Sequence, residues 1–196
     1  PSKETFFGSA IYFFYYWSLF PTIIINFAND NAKIMNNFDK QTFCRLNLPA
    51  FDIKIRNISG QMSVLDPLRC KYVSLTPEEW VRQHFIHFLV HYKGFSPTLI
   101  GNEVELSSGD KKMRCDSVVY DRSLRPRIII EYKQPSIKIT QKVFDQISVY
   151  NHLLHVDYLI VSNGMTHYCC RMDYASRGYV FIHDIPSASE ITPSDI

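Results

Sequence analysis

Three charged residues stand where a pair of strands would bring them together: Asp116, Glu131 and Lys133. Glu131 and Lys133 lie two residues apart at the end of the run Arg127-Ile-Ile-Ile-Glu-Tyr-Lys. On a strand, both side chains leave the same face. Asp116 lies within the apolar run 115–119, where a carboxylate is costly without a partner or a cation. If the two strands form a hairpin, Asp116 approaches Glu131.

Two converging carboxylates repel each other and raise a pKa unless a positive charge lies between them. Oxygen ligands alone favour magnesium or manganese over softer metals. The sequence leaves a second interpretation open, in which Asp116 forms a salt bridge with Lys133 and Glu131 is solvated at the strand end.

The surroundings of these residues favour a polyanionic substrate. Gln146 and Tyr150 lie one helical turn apart, and Lys142 extends the same line. Between residues 111 and 142 there are nine basic and three acidic residues. Because the acids are the candidate ligands and the bases suit phosphate, a phosphodiester substrate accounts for both signs of charge.

Two helices and a series of strands must position these side chains. Thr76 is a predicted N-cap, Pro77 the first helical residue and Glu79 the closing member of a capping box, with Gly94 as the stop. A second helix is predicted from about Thr140. Strands are predicted over 51–56, 62–65, 98–106, 113–120, 127–133, 156–161, 166–172 and 179–182. From the first helix on, the order is α-β-β-β-α-β-β, an α/β domain with a mixed sheet.

Composition limits the class of protein. The 196 residues carry a net charge of +2 and are 46% hydrophobic, which fits one globular domain. Five cysteines without CxxC spacing indicate reduced thiols and no zinc site. Residues 1–34 hold ten aromatics and four charges, and we interpret them as a non-native extension from a mis-set start, with a signal anchor as the alternative. Residues 35–186 form the predicted domain and 187–196 a polar tail, and we expect a cytoplasmic protein, not a membrane protein.

The chain resembles the PD-(D/E)xK nucleases, and within them the N-terminal nuclease domain of type I restriction enzyme R subunits. The resemblance spans roughly residues 46–186. It rests on Thr76-Pro-Glu-Glu-Trp-Val-Arg-Gln, Arg114-Cys-Asp, Ile130-Glu-Tyr-Lys, Gln146-x-x-x-Tyr and Tyr158-Leu-Ile-Val-Ser-Asn-Gly. It implies a restriction-endonuclease-like core, α-β-β-β-α-β, with a mixed central sheet flanked by helices. Gln146 and Tyr150 match the Gln-x-x-x-Tyr element of the RecB-like branch.

The resemblance also implies roles for individual residues. Asp116 and Glu131 would hold Mg²⁺ or Mn²⁺ with the backbone carbonyl of Tyr132, and Lys133 would orient or activate water. Gln146 and Tyr150 would support the active site and the nucleic-acid backbone. An acid of the first helix often joins such a site. Glu78 is favoured here over Glu79, because the capping box would occupy Glu79.

Two features depart from the family pattern. Cys115, not Pro, precedes Asp116, a variation that leaves metal binding intact. The Gly-x-x-x-x-Gly-Lys-Ser/Thr loop of the ATP-driven motor is missing, so we expect no nucleotide cofactor and no complete motor subunit.

These observations predict a magnesium-dependent endonuclease that hydrolyses DNA phosphodiester bonds in a restriction-modification system. Its expected partners are DNA and a separate motor or specificity subunit. The alternative is a nucleic-acid-binding module of a restriction or repair complex that keeps the fold and does not cut.

Overall fold

The protein is described by a computed structural model that covers residues 43–108 and 111–191. The predictions for residues 1–34 therefore lie outside the described residues. Within the described ranges, no helix is long and apolar enough to cross a membrane.

A small antiparallel sheet precedes the first helix. It consists of β1 (Ile55–Ile58), β2 (Gln61–Asp66) and β3 (Lys71–Ser74), in that order. The strand predicted over 51–56 is misplaced, because the chain turns only at Ser59 and Gly60, both with positive φ, where Asn57 Oδ1 accepts the Gly60 N–H. The short strand β3 was not predicted.

The first helix, α1 (Pro77–Tyr92), begins where its sequence signals predict. Thr76 Oγ1 accepts the backbone N–H of Glu79 at 3.0 Å, which confirms the N-cap. The predicted reciprocal half of the capping box is wrong. The Glu79 carboxylate is buried and accepts hydrogen bonds from three side chains, those of Arg69, Arg82 and Gln83.

A six-stranded mixed sheet forms the body of the domain. Its strands lie in chain order: β4 (Ile100–Ser108), β5 (Lys111–Tyr120), β6 (Pro126–Tyr132), β7 (Tyr158–Ser162), β8 (His167–Asp173) and β9 (Gly178–Ile182). Strands β6 and β7 pair in parallel, and the other neighbouring pairs are antiparallel. The parallel pair requires a crossover, which contains the second helix, α2 (Gln141–Leu154). The predicted α/β class and mixed sheet are confirmed.

Alternate residues of β6 face different helices. Ile128, Ile130 and Tyr132 pack in one buried cluster with α1 residues such as Phe85 and Leu89. Ile129 packs in a second cluster with Phe144 and Ile147 of α2. The two helices thus pack against the sheet through two separate cores, as the period-2 alternation of a strand requires.

The C-terminal segment differs from the predicted polar tail. Residues Ala188–Ile191 form a short helix, α3, and Ile191 is buried in the cluster that contains α1. Ser187 donates to the Glu190 carboxylate through its backbone N–H and its hydroxyl. One apolar side chain and this local cap are enough to hold a single helical turn against the core. The sequence of the segment therefore looks polar although part of it is packed.

Candidate active site

The β5–β6 hairpin brings Asp116 and Glu131 to the same end of the sheet. Ser117 pairs with Ile130 in an antiparallel register, so the next step along both strands places Asp116 opposite Glu131. Asp116 Oδ2 accepts the backbone N–H of Tyr132 at 2.9 Å. The hairpin predicted from the sequence is therefore present, with the two carboxylates on adjacent strands.

Glu131 is almost fully buried and has two side-chain partners on one oxygen. Its Oε1 accepts from Lys133 Nζ at 2.7 Å and from Gln146 Nε2 at 2.7 Å. Lys133 thus pairs with Glu131. The Asp116–Lys133 salt bridge of the second interpretation is wrong, because the positive partner of Asp116 is Arg82, whose Nη2 lies 3.0 Å from Oδ1.

The electrostatics of the pair follow from burial and repulsion. Burial, together with the nearby charge of Asp116, raises the pKa of Glu131 to about 7 despite its bond to Lys133. Burial alone lowers the pKa of the Lys133 ammonium, but the bond to Glu131 and the other carboxylates outweigh it, and the pKa is raised. At neutral pH, Lys133 is therefore a cation and Glu131 is poised between its two protonation states.

Helix α2 places the Gln-x-x-x-Tyr element beside Glu131. Gln146 Nε2 donates to Glu131 and also lies 3.3 Å from the hydroxyl of Tyr150. Gln146 therefore contacts Glu131 directly. Tyr150 contacts Gln146, and is linked to Glu131 through it.

The two glutamates of the first helical turn point to different places. The Glu78 side chain is half exposed, and burial together with the charge of Asp116 raises its pKa, while Lys133 lowers it. Glu78 therefore lies within electrostatic range of both residues. The Glu79 carboxylate is already paired, as predicted, but its partners are Arg69 and Arg82 and not the N-terminus of the helix.

The basic residues do not all gather at this end of the sheet. Lys112, Arg114, Lys138 and Lys142 are exposed, and Arg114 and Lys112 lie on β5 before Asp116. The loop residues Arg122 and Arg125 lie beyond the other end of β6, and Arg127 is about 13 Å along the strand from Glu131. Arg125 and Arg127 also pair with Asp121. The predicted basic cluster is thus divided by the hairpin.

Sequence reasoning missed Arg82, which contacts Asp116, and the buried polar residues around it. Arg82 and Gln83 are buried on α1, and both contact Glu79. The signal was available, because Glu79, Arg82 and Gln83 have the i, i+3, i+4 spacing of one helix face. Polar residues in that pattern beside an apolar stripe indicate a buried network.

The donor set suits a hard divalent cation in its chemistry. Asp116 and Glu131 supply carboxylate oxygens, and the pKa of Glu131 is raised first by burial and then by the nearby charge of Asp116. Within the described part of the chain, no group of three or more His, Cys, Asp or Glu side chains is arranged to hold a metal.

The chain was compared with known protein families and solved structures. Residues 77–186 match the family model described as type I restriction enzyme R protein N terminus (HSDR_N). No curated protein matches the chain. A solved structure titled "The fragment structure of a putative HsdR subunit of a type I restriction enzyme from Vibrio vulnificus YJ016" is similar at 17% identity with a TM-score of 0.44. The match covers 60% of this chain and 24% of that one.

Proposed function

The chain belongs to the type I restriction enzyme R protein N-terminus family, and on that premise we propose that it is a magnesium-dependent endonuclease domain that hydrolyses DNA phosphodiester bonds. The proposal includes a restriction-endonuclease-like topology for the six-stranded sheet with α1 and α2. It also includes a type I restriction complex acting on DNA as the setting in which the domain works.

One observation carries the proposal. Asp116, Glu131 and Lys133 meet at one end of the β5–β6 hairpin, and Gln146 of α2 is hydrogen-bonded to the same oxygen of Glu131 as Lys133. These residues are spread over 31 positions of the sequence, yet Lys133 and Gln146 bind one oxygen of Glu131 and Asp116 lies on the adjacent strand. A structural ion pair would require Lys133 and Glu131 alone.

Asp116 and Glu131 would hold Mg²⁺ or Mn²⁺, which supplies charge neutralisation at the phosphate and a more acidic bound water. The Asp116 carboxylate keeps a fixed orientation through Tyr132 N–H and Arg82. Each of its oxygens accepts one hydrogen bond from these donors and has a second lone pair available.

Lys133 would act as a cation and not as the general base. Its raised pKa keeps it protonated at neutral pH, so its ammonium can orient a water and stabilise charge on a phosphate oxygen. Gln146 would fix the orientation of Glu131, and Tyr150 would hold Gln146. Glu78 would receive a proton or make a water-mediated contact, since it lies within electrostatic range of Asp116 and Lys133.

The exposed bases near this end of the sheet would contact the DNA backbone. Lys112, Arg114, Lys138 and Lys142 are exposed, and phosphate contacts of this kind position a duplex without reading its sequence. Their contribution should decrease with salt concentration.

Plasmid nicking by the full chain, with Mg²⁺ or with a chelator, tests the proposal. We expect nicking by the wild type only with the metal, and a loss of at least about 100-fold in Lys133→Ala. Lys54→Ala is the matched control, because Lys54 is an exposed lysine outside the site.

Three outcomes would contradict the proposal. If nicking persists in the chelator, the proposed role of the metal is wrong. If Lys133→Ala nicks the plasmid as fast as the wild type does, the proposed role of Lys133 is wrong. DNA binding without nicking under any metal condition favours the alternative, a non-cleaving nucleic-acid-binding module.

A further inference from the structure

A line of alternating charges leads through the protein interior to Asp116. It runs from Asp66 at the end of β2 to Arg69 in the β2–β3 loop, then to Glu79 and Arg82 on α1, and ends at Asp116 on β5. We call these five residues the support chain. They come from both sheets and from the first helix.

The contacts along the support chain are short and use separate atoms. Arg69 contacts Asp66 through Nε and Glu79 Oε1 through Nη2, the latter at 2.9 Å. Arg82 reaches Glu79 Oε2 through Nη1 at 2.6 Å and Asp116 Oδ1 through Nη2 at 3.0 Å. Because a guanidinium is planar, fixing Nη1 on Glu79 also fixes where Nη2 can meet Asp116.

Three members of the support chain are buried and the other two, Arg69 and Asp116, are partly buried. The side chains of Asp66, Glu79 and Arg82 are 0%, 7% and 5% exposed, and that of Asp116 is 15% exposed. Buried ion pairs contribute little net stability compared with apolar packing of the same volume. A line of five charged residues, three of them buried, that ends at a candidate ligand therefore calls for a role beyond stability.

We propose that Arg82 is a positioning residue that sets the orientation of the Asp116 carboxylate, and that Arg69 fixes Arg82 through Glu79. This inference rests on the proposed function, in which Asp116 is a metal ligand. Asp116 Oδ2 accepts the Tyr132 N–H while Oδ1 accepts from Arg82, so the two donors together determine the plane of the carboxylate.

The support chain also assigns a role to the small sheet. Asp66 and Arg69 lie before residue 77, where the family match begins. Asn102 of β4 donates to Asp66 Oδ2 at 3.0 Å, which ties the same end of the support chain to the six-stranded sheet. The small sheet is therefore part of the device that orients Asp116.

Arg82→Lys and Arg69→Lys test the inference in the full chain. Lysine keeps the charge, so the fold is not left with an unpaired buried carboxylate, but it removes the planar bridge. The matched control is Arg127→Lys, since Arg127 bridges Asp121 and Asp157 at the other end of β6. Melting temperatures of the three variants establish how much each loses in global stability.

Two readouts report the orientation of Asp116. The first is hydrogen exchange of the Tyr132 amide relative to the buried Ile160 amide, which needs no metal. The second is the Mg²⁺ dissociation constant from calorimetric titration. In Arg82→Lys, we expect the Tyr132 amide hydrogen to exchange about tenfold faster and Mg²⁺ to bind about tenfold more weakly than in the wild type. Arg69→Lys should shift both readouts in the same direction by less, and Arg127→Lys should shift neither.

The readouts separate failure of this inference from failure of the proposed function. If the wild type binds no Mg²⁺, the proposed metal site is wrong, and Tyr132 exchange still decides the role of Arg82. If Arg82→Lys leaves Tyr132 exchange unchanged relative to Ile160, or if Arg127→Lys accelerates it equally, the positioning role is overturned.

Discussion

At the scale of single residues, the burial of Glu131 decides its protonation state. It shares one oxygen between a lysine and a glutamine, yet its pKa is raised to about 7 by burial and by Asp116. A carboxyl whose folded-state pKa exceeds its unfolded value stabilises the fold below the unfolded pKa, and this contribution is lost as pH rises through the folded pKa. The relevant window runs from the ordinary 4.5 to about 7.

Glu131→Gln should therefore stabilise the metal-free protein relative to wild type as pH rises through that window. We expect no gain at pH 4 and about 1–3 kcal/mol in the free energy of unfolding at pH 8. Urea unfolding at both pH values, without metal, measures the difference. Glu105→Gln, at an exposed position, is the control, and a Glu131→Gln variant that is equally destabilised at both pH values would show that the pKa of Glu131 is not raised.

Gln146→Ala should lower the nicking rate more than Tyr150→Phe does. Gln146 contacts Glu131, whereas the Tyr150 hydroxyl contacts Gln146 at 3.3 Å. We expect a loss of about 10–100-fold for Gln146→Ala and less than about tenfold for Tyr150→Phe, both at an unchanged melting temperature. Gln141→Ala, at an exposed position five residues earlier on α2, is the control. Equal effects of the two site variants would contradict the order of contacts in the structure.

At the scale of elements, the two helices begin differently although both have a threonine at the N-cap. Thr76 Oγ1 accepts from Glu79 N at the start of α1, whereas Thr140 makes no side-chain cap bond at the start of α2. The residue type alone does not distinguish these cases.

Thr76→Ala should cost about 1 kcal/mol of unfolding free energy, and Thr140→Ala should cost less. Chemical denaturation of the two variants provides the comparison. If the two substitutions cost the same, the hydrogen bond at Thr76 contributes nothing beyond the residue's conformational preference.

The same elements show how far the sequence predicts the structure. The α1 N-cap, the β5–β6 hairpin and the meeting of Asp116 with Glu131 depend on local spacing, and they are present. Of the three side chains that contact Glu79, Arg82 and Gln83 lie at helical spacing on α1, whereas Arg69 lies ten residues earlier in the β2–β3 loop. Pairings of this kind between distant segments leave no periodic pattern, which is also why the Arg82–Asp116 contact was not predicted.

Strand β3 was missed for a different reason. Its four residues, Lys71–Ser74, are half-buried or exposed, so their hydrophobic alternation is weak. Its position is decided by pairing with β2, where Val64 is fully buried opposite Val73. Short edge strands of this kind depend on their neighbours for their structure.

At the scale of the whole molecule, the segment matched by the family is not self-sufficient. Leu46, Val64 and Leu75 precede residue 77 and are buried. Trp80 Nε1 donates to the Cys44 carbonyl at 3.1 Å, and Asn47 N donates to the Gly164 carbonyl at 2.8 Å. Removing residues before 77 would expose apolar surface and break these bonds.

A chain that begins at residue 77 should therefore lose the cooperative unfolding transition that we expect of the full chain. Circular dichroism during thermal and urea unfolding compares the two, with a chain that begins at residue 43 as the control. An unchanged midpoint for the shortest chain would show that the preceding residues contribute no stability.

The linear order of the support chain matters for synthesis on the ribosome. Asp66, Arg69, Glu79 and Arg82 leave the ribosome before Asp116, and Glu131 follows last. A domain generally folds as a unit, so Arg82 pairs with Glu79 and Asp116 in one step once β5 has emerged. The cation that binds Glu131, Lys133, is translated two residues after it, so both carboxylates become available for pairing only when the end of β6 has been made.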